Sequence, residues 1–430
     1  MNEQQQQTFK LAEEGSNLFI TGSAGVGKSF LLNKITKMLE KKHKKSGAVL
    51  VTAPTGLASF NVGGITLHKA FSFPRGEFYL SRRDVDTRWT IERLSPIKTL
   101  IIDEISMASR YKIDMIDKIM QVVKNNFEPF GGVQVIFVGD FMQLPPIEKD
   151  APDSQKNLFA FLAKAWSKEA NIKTCYLTEK VRQKDGDPLI DILDGIRGGK
   201  VGQDIYDLLD SRAGEQESHM SSILPTNAMV TSTNHKRLGE IDGELKVIKG
   251  VGQNLTEWEL KSVFNNSLVE KELNIKIGAK IMFIKNDVLG RYYNGKMGIV
   301  KKISKTTVFI EDLEGVKISL QRDNFFIDDR KSKKKKIEIG DEKEYMQFPI
   351  KLAWAITIHK SQGMTLGGGD GEKIFIDLSR SFGVGLGYVA LSRLKRFDNL
   401  VLGGYSGDAF KMSELVMKYV EPKLKANSSV

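Results

Sequence analysis

Short runs of apolar residues alternate along most of the chain with stretches in which apolar residues recur at helical spacing, as at residues 30–39. Alternation of this kind is typical of parallel sheets covered by helices, so the pattern predicts an α/β fold. A second alternating block begins near Tyr176. The clearest predicted strands are residues 17–21, 48–52, 99–102, 133–138, 352–358, 373–377 and 399–402.

Two segments break this alternation. Residues 276–312 contain short β runs at 279–284, 298–303 and 306–311, separated by Gly, Asn and Lys, which predicts a small antiparallel β unit inserted into the second α/β domain. Residues 72–97 mix charged and aromatic side chains and are interpreted as an excursion from the first domain. A lysine run at 331–336 is read either as a solvated loop or as a contact to a phosphate backbone.

Composition narrows the class of protein. A chain of 430 residues is too long to form a single hydrophobic core, and its length suggests about two to four domains. A formal net charge of +11 favours nucleic acid or another polyanion as partner. The single cysteine, Cys175, excludes internal disulfides and cysteine-rich zinc sites. The sequence shows neither the apolar core of a signal peptide nor an apolar run long enough to span a membrane. We therefore expect a soluble intracellular protein, which would be cytoplasmic in a bacterium.

Residues 22–29 have the spacing of a phosphate-binding loop, and they lie between a predicted strand and a predicted helix. Gly22 and Gly27 allow backbone N–H groups to wrap phosphates at a helix N-terminus, where the helix dipole favours anions. Lys28 is expected to reach the β- and γ-phosphates, and the Ser29 hydroxyl to ligate Mg²⁺.

Carboxylates follow the predicted strand 99–102. Asp103 is expected to hold Mg²⁺ in its outer shell, and Glu104 to polarise the attacking water. Gln143, after the next strand, is placed where an amide could sense the γ-phosphate or orient that water. Charge that develops on the transferred phosphoryl group also needs cations, for which Arg182 and Arg393 are the candidates.

These motifs, taken in order, resemble the Pif family of superfamily-1 DNA helicases, the branch related to RecD-type enzymes. The resemblance covers about residues 3–404 and is most specific at His359–Gly363 and Tyr388–Arg393. Lacking long terminal extensions, the chain is similar to a compact bacterial or phage form. The segments that carry the resemblance are residues 22–29, 52–56, 101–107, 139–146, 354–363 and 388–393.

The resemblance implies two RecA-like domains with ATP between them, moving 5′ to 3′ along single-stranded DNA. It adds a wedge, matched to residues 72–97, and a small inserted β-barrel. The expected domains are residues 1–175 for the first, 176–240 with 349–430 for the second, and 241–348 for the insertion. Roles in DNA repair, recombination or telomere maintenance are implied in the same way.

The resemblance also assigns site residues. Gln5 matches a glutamine that reads adenine, with Gln4 equally near. The residues expected at the nucleotide are Gln5, Gly22, Ala24, Gly25, Val26, Gly27, Lys28, Ser29 and Gly363. Those expected at the DNA strand are Pro54, Thr55, Gly56, Thr66, His68, Thr357, His359 and Lys360.

Single-stranded DNA and single-strand/double-strand junctions are therefore the expected partners, with ATP and Mg²⁺ at the nucleotide site. G-quadruplexes and RNA–DNA hybrids are further substrates that the resemblance suggests, and a monomer without membrane contact is expected. The main alternatives are a RecD-like subunit of a nuclease complex and an RNA helicase. A protein-remodelling ATPase and a nucleic-acid-binding module without catalysis are further alternatives, and the motif set favours neither.

Overall fold

A computed structural model describes residues 1–44, 46–73, 79, 88–148, 151–152, 157–181, 186–217, 220–267, 269–287, 289–326, 342–366 and 372–427. Its α-helices are α1 (Glu3–Glu13), α2 (Lys28–His43), α3 (Gly56–Asn61), α4 (Leu67–Phe71), α5 (Arg88–Leu94), α6 (Arg110–Lys124), α7 (Pro188–Arg197), α8 (Gln203–Asp210), α9 (Asn227–Glu240), α10 (Glu257–Asn266), α11 (Ile358–Ser361), α12 (Leu386–Leu391) and α13 (Glu414–Asn427).

The strands have the following bounds. They are β1 (Leu18–Gly22), β2 (Val49–Ala53), β3 (Ile65–Thr66), β4 (Thr99–Ile102), β5 (Gln134–Val138), β6 (Lys173–Leu177), β7 (Ser221–Leu224), β8 (Lys246–Lys249), β9 (Val251–Gln253), β10 (Glu272–Ile275), β11 (Lys280–Phe283), β12 (Met297–Ile303), β13 (Val308–Asp312), β14 (Lys317–Leu320), β15 (Asp323–Asn324), β16 (Glu344–Gln347), β17 (Ile350–Leu352), β18 (Ala355–Thr357), β19 (Ile374–Leu378) and β20 (Leu400–Tyr405).

The chain divides into two compact units. The first consists of residues 1–216 together with 361–430, and the second of residues 217–360. The region predicted as an insertion, residues 241–348, lies within the second unit.

The first unit is built on a six-stranded sheet in the order β3-β2-β4-β5-β1-β6, and every pairing in it is parallel. Its central strands are apolar runs buried on both faces, as strand β4 shows at all four of its residues. In a parallel sheet the carboxyl ends of all strands meet at one edge. The residues that follow β1, β2, β4, β5 and β6 are therefore brought to the same edge.

Strand β6 corrects the predicted domain boundary. It pairs in parallel with β1, from Leu18 opposite Lys173 to Gly22 opposite Leu177. A boundary at residue 175 cuts this strand, so the first sheet continues to Leu177.

Helix α2 packs over the sheet with one apolar face. Leu31, Leu32 and Ile35 are fully buried in a cluster that also contains Leu18 and Ile20 of β1. Burying each such side chain contributes about 1.5–3 kcal/mol. The packing fixes the end of β1 against the start of α2, and it thereby fixes the loop between them.

The second unit contains the predicted antiparallel β unit. Its five-stranded sheet has the order β14-β13-β12-β11-β17, and all four pairings are antiparallel. The three predicted β runs correspond to β11, β12 and β13. Their alternating side chains fill a core that includes Ile281, Phe283 and Val300. The inserted antiparallel unit is therefore confirmed.

Other predicted features fall partly or wholly outside the described residues. Of the predicted wedge, residues 74–78 and 80–87 are not described, although α5 follows at Arg88–Leu94. The lysine run at 331–336 also lies outside the described residues. None of the helices in the described part of the chain has both the length and the hydrophobicity of a membrane span.

Candidate nucleotide and nucleic-acid site

The phosphate-binding loop joins β1 to α2, as its sequence predicts. Helix α2 starts at Lys28, and its N-cap, Gly27, has φ +81° and provides no side-chain cap for the first N–H groups. The Lys28 ammonium donates to the carbonyl oxygens of Gly22 at 2.9 Å and Ser23 at 3.0 Å. Desolvation lowers the pKa of Lys28, and the nearby carboxylates of Asp140 and Glu104 oppose that shift. The loop is therefore preorganised around a cation at a helix N-terminus, which suits a polyphosphate.

Gly22 is required by a close approach between strands. A Cβ at this position would lie 2.3 Å from the carbonyl oxygen of Leu177, and Gly22 has φ +146°. Both the contact and the backbone conformation exclude a larger residue without movement of β1 or β6.

Gly22→Ala is accordingly expected to destabilise the protein by about 3 kcal/mol, the sum of overpacking and backbone strain. Gly15→Ala is the matched control, since Gly15 also has a positive φ, +90°, but a Cβ there would meet nothing within 4 Å. That variant should lose only about 1 kcal/mol. Denaturant unfolding of both variants measures the difference, and equal losses would show that the contact with Leu177 does not matter.

Asp103 and Glu104 follow β4 at the same edge of the sheet. Asp103 is 8% exposed, and its burial together with the charge of Glu104 raises its pKa to about 7. Glu104 adopts φ 49° and ψ 44°, a left-handed conformation that is uncommon for a residue other than glycine. Strain of this kind is characteristic of functional positions. A divalent cation beside Asp103 would compensate the two adjacent carboxylates, so the residues present fit Mg²⁺.

Glu104 also contacts a segment that is remote in sequence. The side-chain amide of Gln362 donates to Glu104 Oε2 at 3.2 Å. A Cβ added to Gly363, the neighbouring predicted nucleotide residue, would lie 3.8 Å from Glu104 Oε1. Residues 362–363 therefore lie against the predicted general base, and Gln362 is a site residue in addition to those predicted from the sequence.

Buried polar atoms around this point lack partners among the described residues. They are the amide oxygens of Gln143 and Gln362 and the hydroxyl of Ser106. Gln143 is 6% exposed and follows β5. Unpaired buried acceptors are costly unless water or a ligand satisfies them. This observation fits the predicted role of Gln143, since an amide oxygen can accept a hydrogen bond from the attacking water.

The N-terminal glutamines have distinct contacts. Gln5 forms a capping box with Asn2, and its side-chain amide donates to the carbonyl oxygen of Val26 at 3.4 Å. Gln4 accepts hydrogen bonds from the backbone N–H of Thr178 at 3.0 Å and from its hydroxyl at 3.2 Å. Gln5 is thus the glutamine that contacts the phosphate loop, and its reading of adenine stays a prediction.

Arg182 and Arg393 are the two candidate arginines. Arg182 lies outside the described residues. Arg393 is 3% exposed, and its guanidinium donates to the carbonyl oxygens of Val389 at 2.9 Å, Met364 at 3.2 Å and Ser361 at 3.4 Å. It therefore supports the turn that carries Gln362 and Gly363. A direct contact with the γ-phosphate would require the guanidinium to leave part of this set.

The predicted DNA-contacting threonines share one structural role, because each begins a short helix. The hydroxyl of Thr55 accepts from the N–H of Ala58 at 3.2 Å, and that of Thr66 accepts from the N–H of Lys69 at 3.3 Å. In the second unit, Thr357 accepts from the N–H of Lys360 at 3.3 Å. A hydroxyl that caps a helix in this way can still donate its own proton to a phosphate.

The neighbours of these threonines also fit an anionic strand. Pro54 and Gly56 flank Thr55 after β2, and His68 lies edge-on to Phe73, with ring centroids 5.6 Å apart. His359 and Lys360 lie in α11. Burial lowers the pKa of Lys360 to about 7, with a further lowering from Lys351. Two lysines that repel one another would both be stabilised by a phosphate between them.

Comparison with known proteins decides the family. The family model described as PIF1-like helicase matches residues 1–199. The ATP-dependent DNA helicase Pif1 of Psychrobacter sp. is 33% identical over 94% of this chain and 68% of that protein. The chain belongs to the PIF1-like helicase family. It spans 61% of the length of the yeast and Xenopus laevis relatives.

Solved structures agree with this PIF1-like assignment. The crystal structure of the Pif1 helicase from Candida albicans superposes with a TM-score of 0.84 at 31% identity, over 99% of both chains. The Bacteroides Pif1 helicase in complex with ADP-AlF3 and single-stranded DNA gives 0.79 at 31% identity, over 99% of this chain and 97% of that one. The predicted family, the fold of two RecA-like domains and the class of enzyme are therefore confirmed.

Proposed function

We propose that this PIF1-like helicase couples ATP hydrolysis to movement along single-stranded DNA in the 5′-to-3′ direction, and so unwinds duplexes. One observation carries the proposal. The phosphate loop, Asp103–Glu104 and Gln143 lie at one edge of a single parallel sheet, with Gln362 bonded to Glu104. The Bacteroides relative supports the same assignment, because it holds ADP-AlF3 and single-stranded DNA.

The chemistry follows from the residues present. The N–H groups of the loop and the Lys28 ammonium hold the phosphates of ATP. Glu104 accepts a proton from a water whose oxygen attacks the γ-phosphorus. The bond from the γ-phosphorus to the bridging oxygen breaks, and ADP and phosphate leave. Ser29 and Asp103 would hold Mg²⁺, which would neutralise negative charge on the phosphates.

The proposed DNA contacts select the backbone and not the base. Threonine hydroxyls, helix N–H groups and the Lys360 ammonium all suit phosphates. In this proposal, the contacts of the first domain and those of the second domain hold the strand alternately as ATP is bound and hydrolysed. Junctions, G-quadruplexes and RNA–DNA hybrids are proposed substrates, and the chain is proposed to act as a monomer.

Hydrolysis stimulated by matched oligonucleotides tests the proposal against an RNA helicase. Single-stranded DNA should raise the turnover number by at least about tenfold, whereas RNA of the same sequence should raise it much less. The phosphate contacts alone give both polymers a salt-dependent affinity, so the comparison belongs at physiological salt. Chelation of divalent cations should abolish hydrolysis in every arm. Stimulation by RNA that equals or exceeds that by DNA would contradict the proposal.

A further inference from the structure

A buried tyrosine bonds directly to the phosphate loop. The hydroxyl of Tyr388, in α12, accepts a hydrogen bond from the backbone N–H of Ala24 at 3.0 Å. The same hydroxyl donates to Asp140 Oδ2 at 3.1 Å. Tyr388 and Asp140 are both fully buried. One phenol therefore connects the loop, the segment after β5 and helix α12.

An ion pair completes this network from a fourth element. Arg197, the last residue of α7, donates to Asp140 Oδ2 at 2.5 Å and to the hydroxyl of Tyr176 at 3.2 Å. Burial alone would raise the pKa of Asp140, but the positive charges of Arg197 and Lys28 outweigh it and lower that pKa. Asp140 is thus held as a carboxylate. Its other oxygen accepts from the N–H of Met142 at 3.1 Å, within the segment that leads to Gln143.

Helix α12 has a second, independent contact with that segment. Its N-cap, Gly385, has φ +76°, and a Cβ there would lie 3.0 Å from the carbonyl oxygen of Met142 and 2.9 Å from that of Gln143. The backbone of the helix thus packs against the backbone beside the predicted water-orienting amide. Arg393 follows the same helix by two residues, and it holds the turn at Ser361 and Met364.

We propose that Tyr388 is a positioning residue for ATP hydrolysis, whose hydroxyl couples the helix that bears Arg393 to the phosphate loop and to the Gln143 segment. The inference rests on the proposed function, because it concerns the geometry of that reaction. The hydroxyl acts on the phosphates through Ala24, and on the turn beside Glu104 through the helix. Hydrolysis depends on all of these groups being in place together.

If Tyr388 had only a structural role, a different result would be expected on its substitution. Phenylalanine fills nearly the same volume as tyrosine, so a purely structural Tyr388 would affect the melting temperature and not the turnover number. A positioning role affects the turnover number and leaves the KM for ATP nearly unchanged. This follows because the N–H groups from Gly25 to Ser29, which in the proposed function bind the phosphates in the ground state, remain available.

The test is a double-mutant cycle in DNA-stimulated ATP hydrolysis, measured well below the melting temperatures. Tyr388→Phe should lower kcat about tenfold with less than a twofold change in KM, since hydrogen bonds to charged groups are among the stronger ones. In an Arg393→Ala background, the same substitution should change kcat less than twofold. The Tyr388 hydroxyl can no longer position the guanidinium of Arg393, because that group is absent. Asp140→Asn changes the residue that accepts hydrogen bonds from Tyr388 and Arg197, and it should also lower kcat.

Tyr345→Phe is the matched control. Tyr345 is buried in the second unit, and its hydroxyl has no hydrogen-bond partner among the described residues. It should leave kcat unchanged. Wild-type kcat in Tyr388→Phe would overturn the inference, whatever the melting temperature, and so would a tenfold loss that multiplies fully with that of Arg393→Ala. A wild-type chain without ATPase activity would instead refute the proposed function on which the inference rests.

Discussion

Replacing Glu104 by glutamine should abolish DNA-stimulated ATP hydrolysis while leaving DNA binding intact. The substitution keeps the shape of the side chain, but it removes the carboxylate that accepts the proton of the attacking water. General base catalysis contributes about 10²–10⁴-fold, and we expect a loss near 10³-fold in kcat. Lys28→Ala should abolish hydrolysis as well, because it removes the cation that reaches the β- and γ-phosphates.

Steady-state ATPase assays and fluorescence anisotropy with labelled single-stranded DNA measure the two properties separately. Glu40→Gln is the matched control, since Glu40 is an exposed residue of α2. It should behave like the wild type in both assays. Near-normal turnover in Glu104→Gln would show that another group activates the water.

The second large effect is expected at Arg393. Arg393→Ala should lower DNA-stimulated kcat by about 10²-fold or more, with little change in the KM for ATP. The structure adds a second consequence, because the guanidinium also donates to the carbonyl oxygens of Val389, Ser361 and Met364. Buried acceptors that lose a partner cost about 1–3 kcal/mol each, so the variant should also melt earlier. Lysine should rescue poorly, since it cannot present several planar donors at once.

Activity measured well below the melting transition separates these two effects. Arg396→Ala is the control for loss of an arginine nearby, because its side chain is about half exposed and pairs with Asp398 at 3.6 Å. It should retain both stability and turnover. If Arg393→Ala melts earlier but hydrolyses ATP normally at low temperature, the arginine is structural and its catalytic assignment fails.

The local motifs were readable because each is contiguous in sequence. Strand β4 and the two carboxylates after it, and the loop between β1 and α2, follow the hydrophobic pattern and glycine spacing directly. The predicted strand at 352–358 was less accurate, since β17 ends at Leu352 and β18 begins at Ala355. An apolar run does not indicate where one strand ends and the next begins.

Contacts between remote residues could not be predicted in this way. Ala24, Asp140, Arg197 and Tyr388 meet only because parallel strands and two helices bring their ends together. No regular spacing in the sequence indicates that these residues are paired. Gln362 lies within a recognised segment, but nothing in that segment indicates that its amide would bond Glu104. The predicted boundary at residue 175 cuts β6, because an apolar run does not reveal its partner strand.

Strand displacement from two partial duplexes tests whether this protein is an ATP-driven motor that moves 5′ to 3′ on DNA. The substrates should share one duplex sequence and carry a single-stranded tail of equal length, either 5′ or 3′. We predict ATP-dependent displacement from the substrate with the 5′ tail, little from the one with the 3′ tail, and none by Lys28→Ala on either. Efficient displacement from the 3′ tail alone would contradict the account, whatever the ATPase measurements show.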